Sequence, residues 1–148
     1  MTRILRIERR LPAPRAAVYA ALTNAEQLRK WWGPRGFTTL AIEFDPEVGG
    51  SYRIAMQPPE GDAFHLSGEF QVVEPPVRLA FTFRWEPPDP DDRETLATLA
   101  LEEHGIDTVL SLTHREFATE ERLDVHRSGW SDSLDRLTEL LAASQGAA

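Results

Sequence analysis

Two side chains that could contact a ligand, His126 and Trp130, stand four residues apart near the C-terminus. On an α-helix this spacing puts both on one face, where an imidazole and an indole could bind a molecule together. Gly129 stands between them, although glycine inside a helix costs about 1 kcal/mol relative to alanine. We therefore expect a close neighbour at Gly129, either a strand or a ligand.

A second histidine, His114, ends a run in which Leu110 and Leu112 occupy alternate positions. Alternate side chains of a β-strand share one face, so His114 is expected to point inward with the two leucines. An inward histidine usually hydrogen-bonds a backbone group or a hydroxyl. The alternative is a polar or pH-sensitive anchor for a ligand, because imidazole titrates near neutral pH. Both interpretations stay open at this point.

Aromatic residues are numerous enough to line a pocket as well as to fill a core, and such side chains dominate apolar binding sites. Tyr52 and Met56 are expected on the wall opposite the C-terminal helix. Trp31 and Trp32 should end a short helix near the mouth of the pocket, with at least one indole partly exposed. The candidate ligand-binding residues are Trp32, Phe37, Tyr52, Met56, Phe81, Phe83, Trp85, His114, Phe117, His126 and Trp130.

The remaining polar residues do not indicate a metal site or a known catalytic motif. The chain has no cysteine, and its four histidines, His65, His104, His114 and His126, lack the close spacing of metal ligands. Gly-x-Ser-x-Gly, P-loop and dinucleotide-binding patterns are missing from the sequence. We predict no catalytic residue, no metal and no cofactor. A non-enzymatic role is favoured, and the question of enzymatic activity stays open.

Composition excludes several classes of protein. A length of 148 residues suits a single domain, assigned here to residues 1–148 with its core at about 3–143. The net charge of −8 disfavours polyanions, so no nucleic acid is expected as a partner. No stretch resembles a signal peptide or the roughly 18 apolar residues of a membrane span, so no membrane insertion is expected. Cytoplasmic residence follows as the default, as a monomer or a homodimer.

The elements that would position these side chains follow one another in a simple order. Apolar residues with a period of two over residues 3–11 predict a strand, and a short helix follows over 16–22. A capping box at 23–26 predicts a second short helix that ends at Gly33. Between residues 38 and 115 the pattern is six short strands joined by turns, which indicates an antiparallel meander.

The period of two also predicts which side chains share a face. In the first strand of the meander these are Leu40, Ile42 and Phe44. In the fourth they are Leu79, Phe81, Phe83 and Trp85, which should face the terminal helix, whereas Thr82 and Arg84 should face outward. The acidic loop at residues 86–92 contains three prolines and cannot continue the strand.

The last element is predicted to be a helix over residues 119–143 with Thr119 as its N-cap, followed by a frayed tail at 144–148. About 25 residues at roughly 1.5 Å each give a rod of about 37 Å, long enough to cross the sheet. One helix cannot cover a flat sheet of this width, so the sheet must curl and a gap can remain. The sequence thus predicts an α+β helix-grip fold: a curved antiparallel sheet wrapped around a long C-terminal helix, with two short helices after the first strand.

Several short motifs occur in an order that resembles one protein family. They are Arg9 with Ala13-Pro14; Val18 with Ala21-Leu22-Thr23; Leu28 with Trp31-Trp32-Gly33-Pro34; Gly49-Gly50; Gly68 with Val73-Glu74-Pro75-Pro76; Arg78-Leu79 with Phe81-Thr82; Leu112-Thr113-His114; and His126 with Gly129-Trp130. Over about residues 3–141 the chain resembles the activator of heat-shock-protein-ninety ATPase homologue family of the START-like (SRPBCC) superfamily. That superfamily also includes the major birch pollen allergen, aromatic-polyketide cyclases and lipid-transfer domains.

The resemblance implies a helix-grip fold and leaves three functions open. The first is binding of a hydrophobic or amphipathic small molecule in a cavity between the sheet and the C-terminal helix. The second is a chaperone-associated or other protein-binding module of the stress response, which the acidic loop would favour. The third is a cyclase- or hydratase-like enzyme that uses His114 or His126 as acid or base. The eukaryotic co-chaperone that gives the family its name has a separate N-terminal domain that is important for stimulating the chaperone's ATPase. The resemblance is to its C-terminal domain alone, so strong ATPase stimulation by this chain is not expected.

Overall fold

The computed structural model describes residues 3–146, which form a seven-stranded antiparallel sheet and three helices. The strands are β1 (Ile4–Leu11), β2 (Thr38–Phe44), β3 (Ser51–Gln57), β4 (Phe64–Glu74), β5 (Arg78–Glu86), β6 (Thr95–His104) and β7 (Asp107–Arg115). The helices are α1 (Arg15–Thr23), α2 (Ala25–Trp31) and α3 (Glu120–Gly146). Strand order in the sheet is β1-β7-β6-β5-β4-β3-β2, so the predicted meander and helix-grip fold are confirmed.

Helix α3 packs on the sheet along an apolar stripe with helical spacing. Its buried residues include Leu123, Trp130, Leu134, Leu137 and Leu141. Thr119 is the N-cap as predicted: its Oγ1 accepts a hydrogen bond of 3.1 Å from the Arg122 amide. The helix runs to Gly146, beyond the predicted end at residue 143. Residues 147 and 148 of the predicted tail lie outside the described residues.

The start of α2 differs from the predicted capping box by one residue. Asn24, not Thr23, is the N-cap, and its Oδ1 accepts a hydrogen bond of 3.0 Å from the Gln27 amide. The Thr23 hydroxyl instead donates back to the Tyr19 carbonyl at 2.7 Å and closes the last turn of α1. Gly33 follows α2 with a φ of +94°, a left-handed conformation that glycine adopts without strain.

Strand β5 has the predicted register with one exception. Phe81 and Phe83 are buried and Arg84 is exposed, as expected. Thr82 was expected to face outward into solvent, but it is buried. Its Oγ1 accepts a 2.9 Å hydrogen bond from the Glu69 amide of β4, so the neighbouring strand covers it.

Strand β2 contains an irregularity that the alternating pattern did not predict. The pairing of β2 with β3 shifts between Thr39 and Ala41, as in a β-bulge. Leu40, expected to lie inward with Ile42 and Phe44, is therefore 52% exposed, and Thr39 is buried instead. Across residues 3–146 no helix is both long and apolar enough to cross a membrane.

Candidate functional site: a cavity beside the C-terminal helix

A cavity of about 410 Å³ lies between α3, the C-terminal ends of β3 and β5, and the segment after α2. This volume falls within the range of small-molecule pockets, about 300–1,000 Å³. Seven of the residues proposed from the sequence line it: Trp32, Phe37, Met56, Phe83, Trp85, His126 and Trp130. Five of these seven are tryptophan or phenylalanine, and most of the lining is apolar.

The other four proposed residues lie elsewhere. Tyr52 and Phe81 border a separate void of about 20 Å³ near α1 and α2. Phe117 lies on the far side of His126, with ring centroids 4.8 Å apart, and His114 is fully buried between Phe83 and Phe117. All four are buried, as alternation predicts for the strand residues Tyr52, Phe81 and His114, whereas Phe117 follows the end of β7. The sheet is long enough that only one end of its inner face borders the cavity.

Several lining residues were not singled out from the sequence. On α3 these are Arg122, Val125 and Ser133, which line the cavity together with the already noted Gly129. Most lie three or four residues apart, so the helical period through His126 and Trp130 could have identified them. The loop residues of the lining carry no such signal; they are Gly33, Pro34, Asp62, Ala63, Pro87, Asp89 and Asp92, together with Phe64 at the start of β4.

Gly129 faces open space. A β-carbon built on Gly129 would meet only Pro34 within 4 Å, at an ordinary distance of 3.8 Å from its Cγ. Among the described residues, therefore, no strand approaches Gly129 closely, which was one of the two explanations for a glycine at this position. The space beside it belongs to the cavity.

The hydrogen bonds of His126 determine its tautomer. The Trp85 indole, which can only donate, gives its Nε1–H to His126 Nε2 at 3.0 Å. His126 Nδ1 must then carry the proton and donate it to the Arg122 carbonyl at 2.6 Å. Both ring nitrogens are occupied, and the imidazole is neutral.

The same argument holds for His114. The Trp130 indole donates its Nε1–H to His114 Nδ1 at 3.0 Å. His114 Nε2 therefore carries the proton and donates to Thr95 Oγ1 at 2.7 Å. Burial lowers the pKa of His114 well below its ordinary value, and the neighbouring His126 adds to this. Burial likewise lowers the pKa of His126, against the opposing effect of the Arg122 carbonyl.

Arg122 supplies the cationic charge of the cavity wall, and acidic residues neutralise it. Its Nη2 lies 2.6 Å from the buried Asp92 carboxylate, and its Nη1 lies 3.5 Å from Asp89. These bonds hold the loop between β5 and β6 against α3. Asp62 adds a further exposed carboxylate on the opposite side. The charged groups that line the cavity therefore sum to a negative charge.

The segment after α2 forms another wall and is fixed by α3. Ser133 Oγ accepts a hydrogen bond of 3.0 Å from the Gly33 amide. The Arg136 guanidinium donates to the carbonyls of Lys30, Trp32 and Gly33 at 2.9–3.2 Å. These last carbonyls of α2 have no partner within the helix, so Arg136 satisfies the helix end and holds the wall in place.

Neither indole of the Trp31-Trp32 pair is exposed to the extent expected. Trp31 is 1% exposed and donates its Nε1–H to the Ala21 carbonyl at 3.0 Å. Trp32 is 7% exposed, because its ring packs against Trp130 at a centroid distance of 5.4 Å. Its Nε1 is buried and has no hydrogen-bond partner within residues 3–146.

Within residues 3–146 no three His, Asp or Glu side chains come together as a set of metal ligands. The polar groups near the cavity instead bond to one another, as the histidine–tryptophan pairs and the Arg122–Asp92 pair show. The seven-stranded sheet gripping one long terminal helix places the protein in the START-like class of helix-grip domains.

Comparison with known proteins assigns the family. Residues 12–142 match the family described as "Activator of Hsp90 ATPase homolog 1-like protein", and the chain belongs to this family. A crystal structure of a protein of this family from Silicibacter pomeroyi is 32% identical, covering 96% of this chain and 99% of that one, with a TM-score of 0.84. No curated protein matches the chain.

Two further crystal structures extend the similarity. A protein from Chromobacterium violaceum is 26% identical, with coverage of 93% and 96% and a TM-score of 0.85. A protein from Nitrosomonas europaea is 27% identical, with coverage of 97% and 96% and a TM-score of 0.82. The family resemblance inferred from the sequence motifs is thereby confirmed.

Proposed function

We propose that this protein binds a hydrophobic or amphipathic small molecule in the cavity between the sheet and α3. The observation that carries the proposal is a space of about 410 Å³ whose lining is mainly apolar and includes six tryptophan and phenylalanine side chains. A folded domain normally fills such a space with its own side chains, because voids lose packing contacts. Gly129 supports the same conclusion. Glycine destabilises a helix interior relative to alanine, and no other part of the protein fills the space beside Gly129.

An acid–base enzyme has less support. A general acid or base needs a ring nitrogen within hydrogen-bond reach of the reacting group. Both nitrogens of His114 and both of His126 are bonded within the protein. A reaction at either ring would first have to break one of these bonds, so the non-enzymatic function is the one proposed.

Filling the cavity from Gly129 should weaken binding. Gly129→Leu places an apolar side chain in the space that a ligand would occupy, without removing any hydrogen bond. We expect the uncharged fluorescent probe N-phenylnaphthylamine to bind the wild type and to lose at least about tenfold in affinity for the variant, the equivalent of roughly 1.4 kcal/mol. Fluorescence titration measures both constants.

Ser128→Leu is the matched control, because Ser128 is on the same helix but exposed. It should bind the probe as the wild type does. If the wild type binds no probe, or if Gly129→Leu and Ser128→Leu bind it equally well, the cavity is not the binding site and the proposal is wrong.

A chaperone-associated role is the alternative, and the family description favours it. The acidic loop offers such a partner little free charge, since Asp89 and Asp92 pair with Arg122. Arg93 of the same loop donates to the carbonyls of Glu116 and Phe117. The loop is thus bound mainly to the protein's own surface.

We expect this chain to leave the ATPase rate of a ninety-kilodalton heat-shock protein essentially unchanged. A coupled ATPase assay with the purified chaperone measures the rate, with the chaperone alone as the reference. Stimulation of several-fold, lost in Asp89→Asn, would instead favour the chaperone role.

A further inference from the structure

The four indole N–H groups of the protein differ in one respect. Those of Trp31, Trp85 and Trp130 each donate to an acceptor within the protein, at 3.0 Å in every case. The fourth, Nε1 of Trp32, is buried without a partner among the residues that the structure describes. A buried donor without an acceptor loses its hydrogen bond to water and gains none in return, which is unfavourable.

Trp32 is also one of the cavity-lining residues. Its ring is held by Trp130 and Phe83, with centroids 5.4 Å and 6.1 Å away. Most other polar groups of the lining have partners: His126 bonds Trp85, Arg122 pairs with Asp92 through Nη2, and Ser133 accepts from Gly33. Arg122 Nε is also buried without a partner among residues 3–146. The Trp32 N–H is therefore one of two lining donors, and the uncharged one, that a ligand could satisfy without breaking a bond of the protein.

The charges around the cavity restrict what that ligand can be. Asp62, Asp89 and Asp92 face a single cation, Arg122, which Asp92 and Asp89 already bind. An anionic headgroup would be repelled by this excess of carboxylates, and the charge of Arg122 is already balanced by Asp92 and Asp89. The acceptor for Trp32 is thus expected on an uncharged molecule.

We propose that the ligand is an uncharged apolar compound with a carbonyl oxygen, and that this oxygen accepts a hydrogen bond from Trp32 Nε1–H. The inference rests on the proposed function and specifies the ligand class for the same cavity. Trp32 Nε1 is buried in this structure, so the proposed complex requires a turn of the indole that brings the N–H to the oxygen. Trp32 would then determine specificity by its donor, whereas the other aromatic side chains supply apolar contact.

The test compares benzophenone with diphenylmethane, which has the same two rings but a methylene in place of the carbonyl. The indole N–H signals are followed in ¹H–¹⁵N NMR spectra, with that of Trp32 assigned by its loss in Trp32→Phe or by triple-resonance spectra. We expect benzophenone to move the Trp32 signal downfield and to bind about tenfold tighter than diphenylmethane. Diphenylacetate, which carries the anion, should bind more weakly than either.

Variants separate the N–H from the ring. Trp32→Phe keeps an aromatic ring and removes the donor, so benzophenone should lose about tenfold in affinity and diphenylmethane should change little. Trp85→Phe is the matched control: it removes an N–H that His126 already accepts, and it should affect both probes alike. If Trp32→Phe does not fold, as judged by circular dichroism, the wild-type NMR comparison decides alone.

The outcomes for the two proposals are distinguishable. Equal affinities for benzophenone and diphenylmethane, with the Trp32 signal moving equally with both, would overturn the carbonyl inference and leave the cavity as an apolar binding site. Tighter binding of diphenylacetate would overturn the predicted ligand charge. If neither benzophenone, diphenylmethane nor N-phenylnaphthylamine binds, both the inference and the proposed function are wrong.

Discussion

Replacing Gly68 with alanine is expected to destabilise the fold by about 3 kcal/mol, at the upper end of the usual cost of overpacking. A β-carbon at Gly68 would lie 1.9 Å from the Thr82 carbonyl oxygen and 2.8 Å from Cε1 of Tyr52. Neither neighbour can move cheaply. The oxygen belongs to the backbone of the adjacent strand β5 and accepts the Tyr52 hydroxyl, and the Tyr52 ring is buried. Strands β4 and β5 would have to separate where they border the core.

Urea unfolding monitored by circular dichroism measures the change in the free energy of unfolding. Gly129→Ala is the matched control, because it makes the same chemical change where the new β-carbon has room. We expect it to stabilise the protein by up to about 1 kcal/mol, since alanine favours a helix interior over glycine. If Gly68→Ala and Gly129→Ala change the free energy of unfolding equally, the close packing around Gly68 is contradicted.

Acid should destabilise the protein strongly through His114 and His126. In the unfolded chain a histidine gains its proton near its ordinary pKa of 6.5. In the folded protein burial lowers both pKa values, so below pH 6.5 the unfolded state binds more protons than the folded state. The contribution of the two neutral histidines to the free energy of unfolding is complete above pH 6.5, and it is lost as the pH drops towards their folded pKa values. Each histidine contributes a slope of up to about 1.4 kcal/mol per pH unit between pH 6.5 and its folded pKa.

The hydrogen bonds give the structural reason for these low pKa values. Protonation would place a second N–H on each ring, facing an indole that can itself only donate. Each protonation therefore replaces a tryptophan–histidine hydrogen bond by two opposed donors.

Urea unfolding at several pH values between 7 and 5 checks the slope. His104→Gln is the control, because it replaces a histidine that is exposed at the end of β6 and lies outside the buried pair. His126→Leu should reduce the slope but also lower stability at pH 7 by about 1–3 kcal/mol, because the Trp85 N–H loses its acceptor. A wild-type stability that does not change between pH 7 and 5 would show that the histidines are not held neutral.

Much of the fold was predictable from the sequence because local rules determine it. The period of two located the strands, and in β5 it correctly placed Phe81 and Phe83 inside and Arg84 outside. The helical period located α3, and Thr119 was recognised as its N-cap because that hydrogen bond joins residues three apart. The prediction was weaker where two neighbouring residues could both cap a helix. Thr23 and Asn24 are both good N-caps, and α2 begins with Asn24 as its N-cap.

The division of aromatic residues between core and cavity was not predictable in the same way. Alternation shows that Phe81 and Phe83 point inward, but only Phe83 borders the cavity. The position along a curved strand relative to α3 decides this, and no period in the sequence encodes it. The burial of Thr82 likewise depends on the amide of Glu69 in the neighbouring strand.

The sequence by itself determined which residue types are present: two inward histidines, four tryptophans and a glycine on the terminal helix. Only the tertiary structure decided their chemistry. Trp85 and Trp130 bond the two histidines, which makes both imidazoles neutral, and Trp32 is left without an acceptor. These pairings join elements far apart in the chain, such as Trp85 of β5 with His126 of α3. They depend on distances of about 3 Å that exist only once the sheet has curled around the helix.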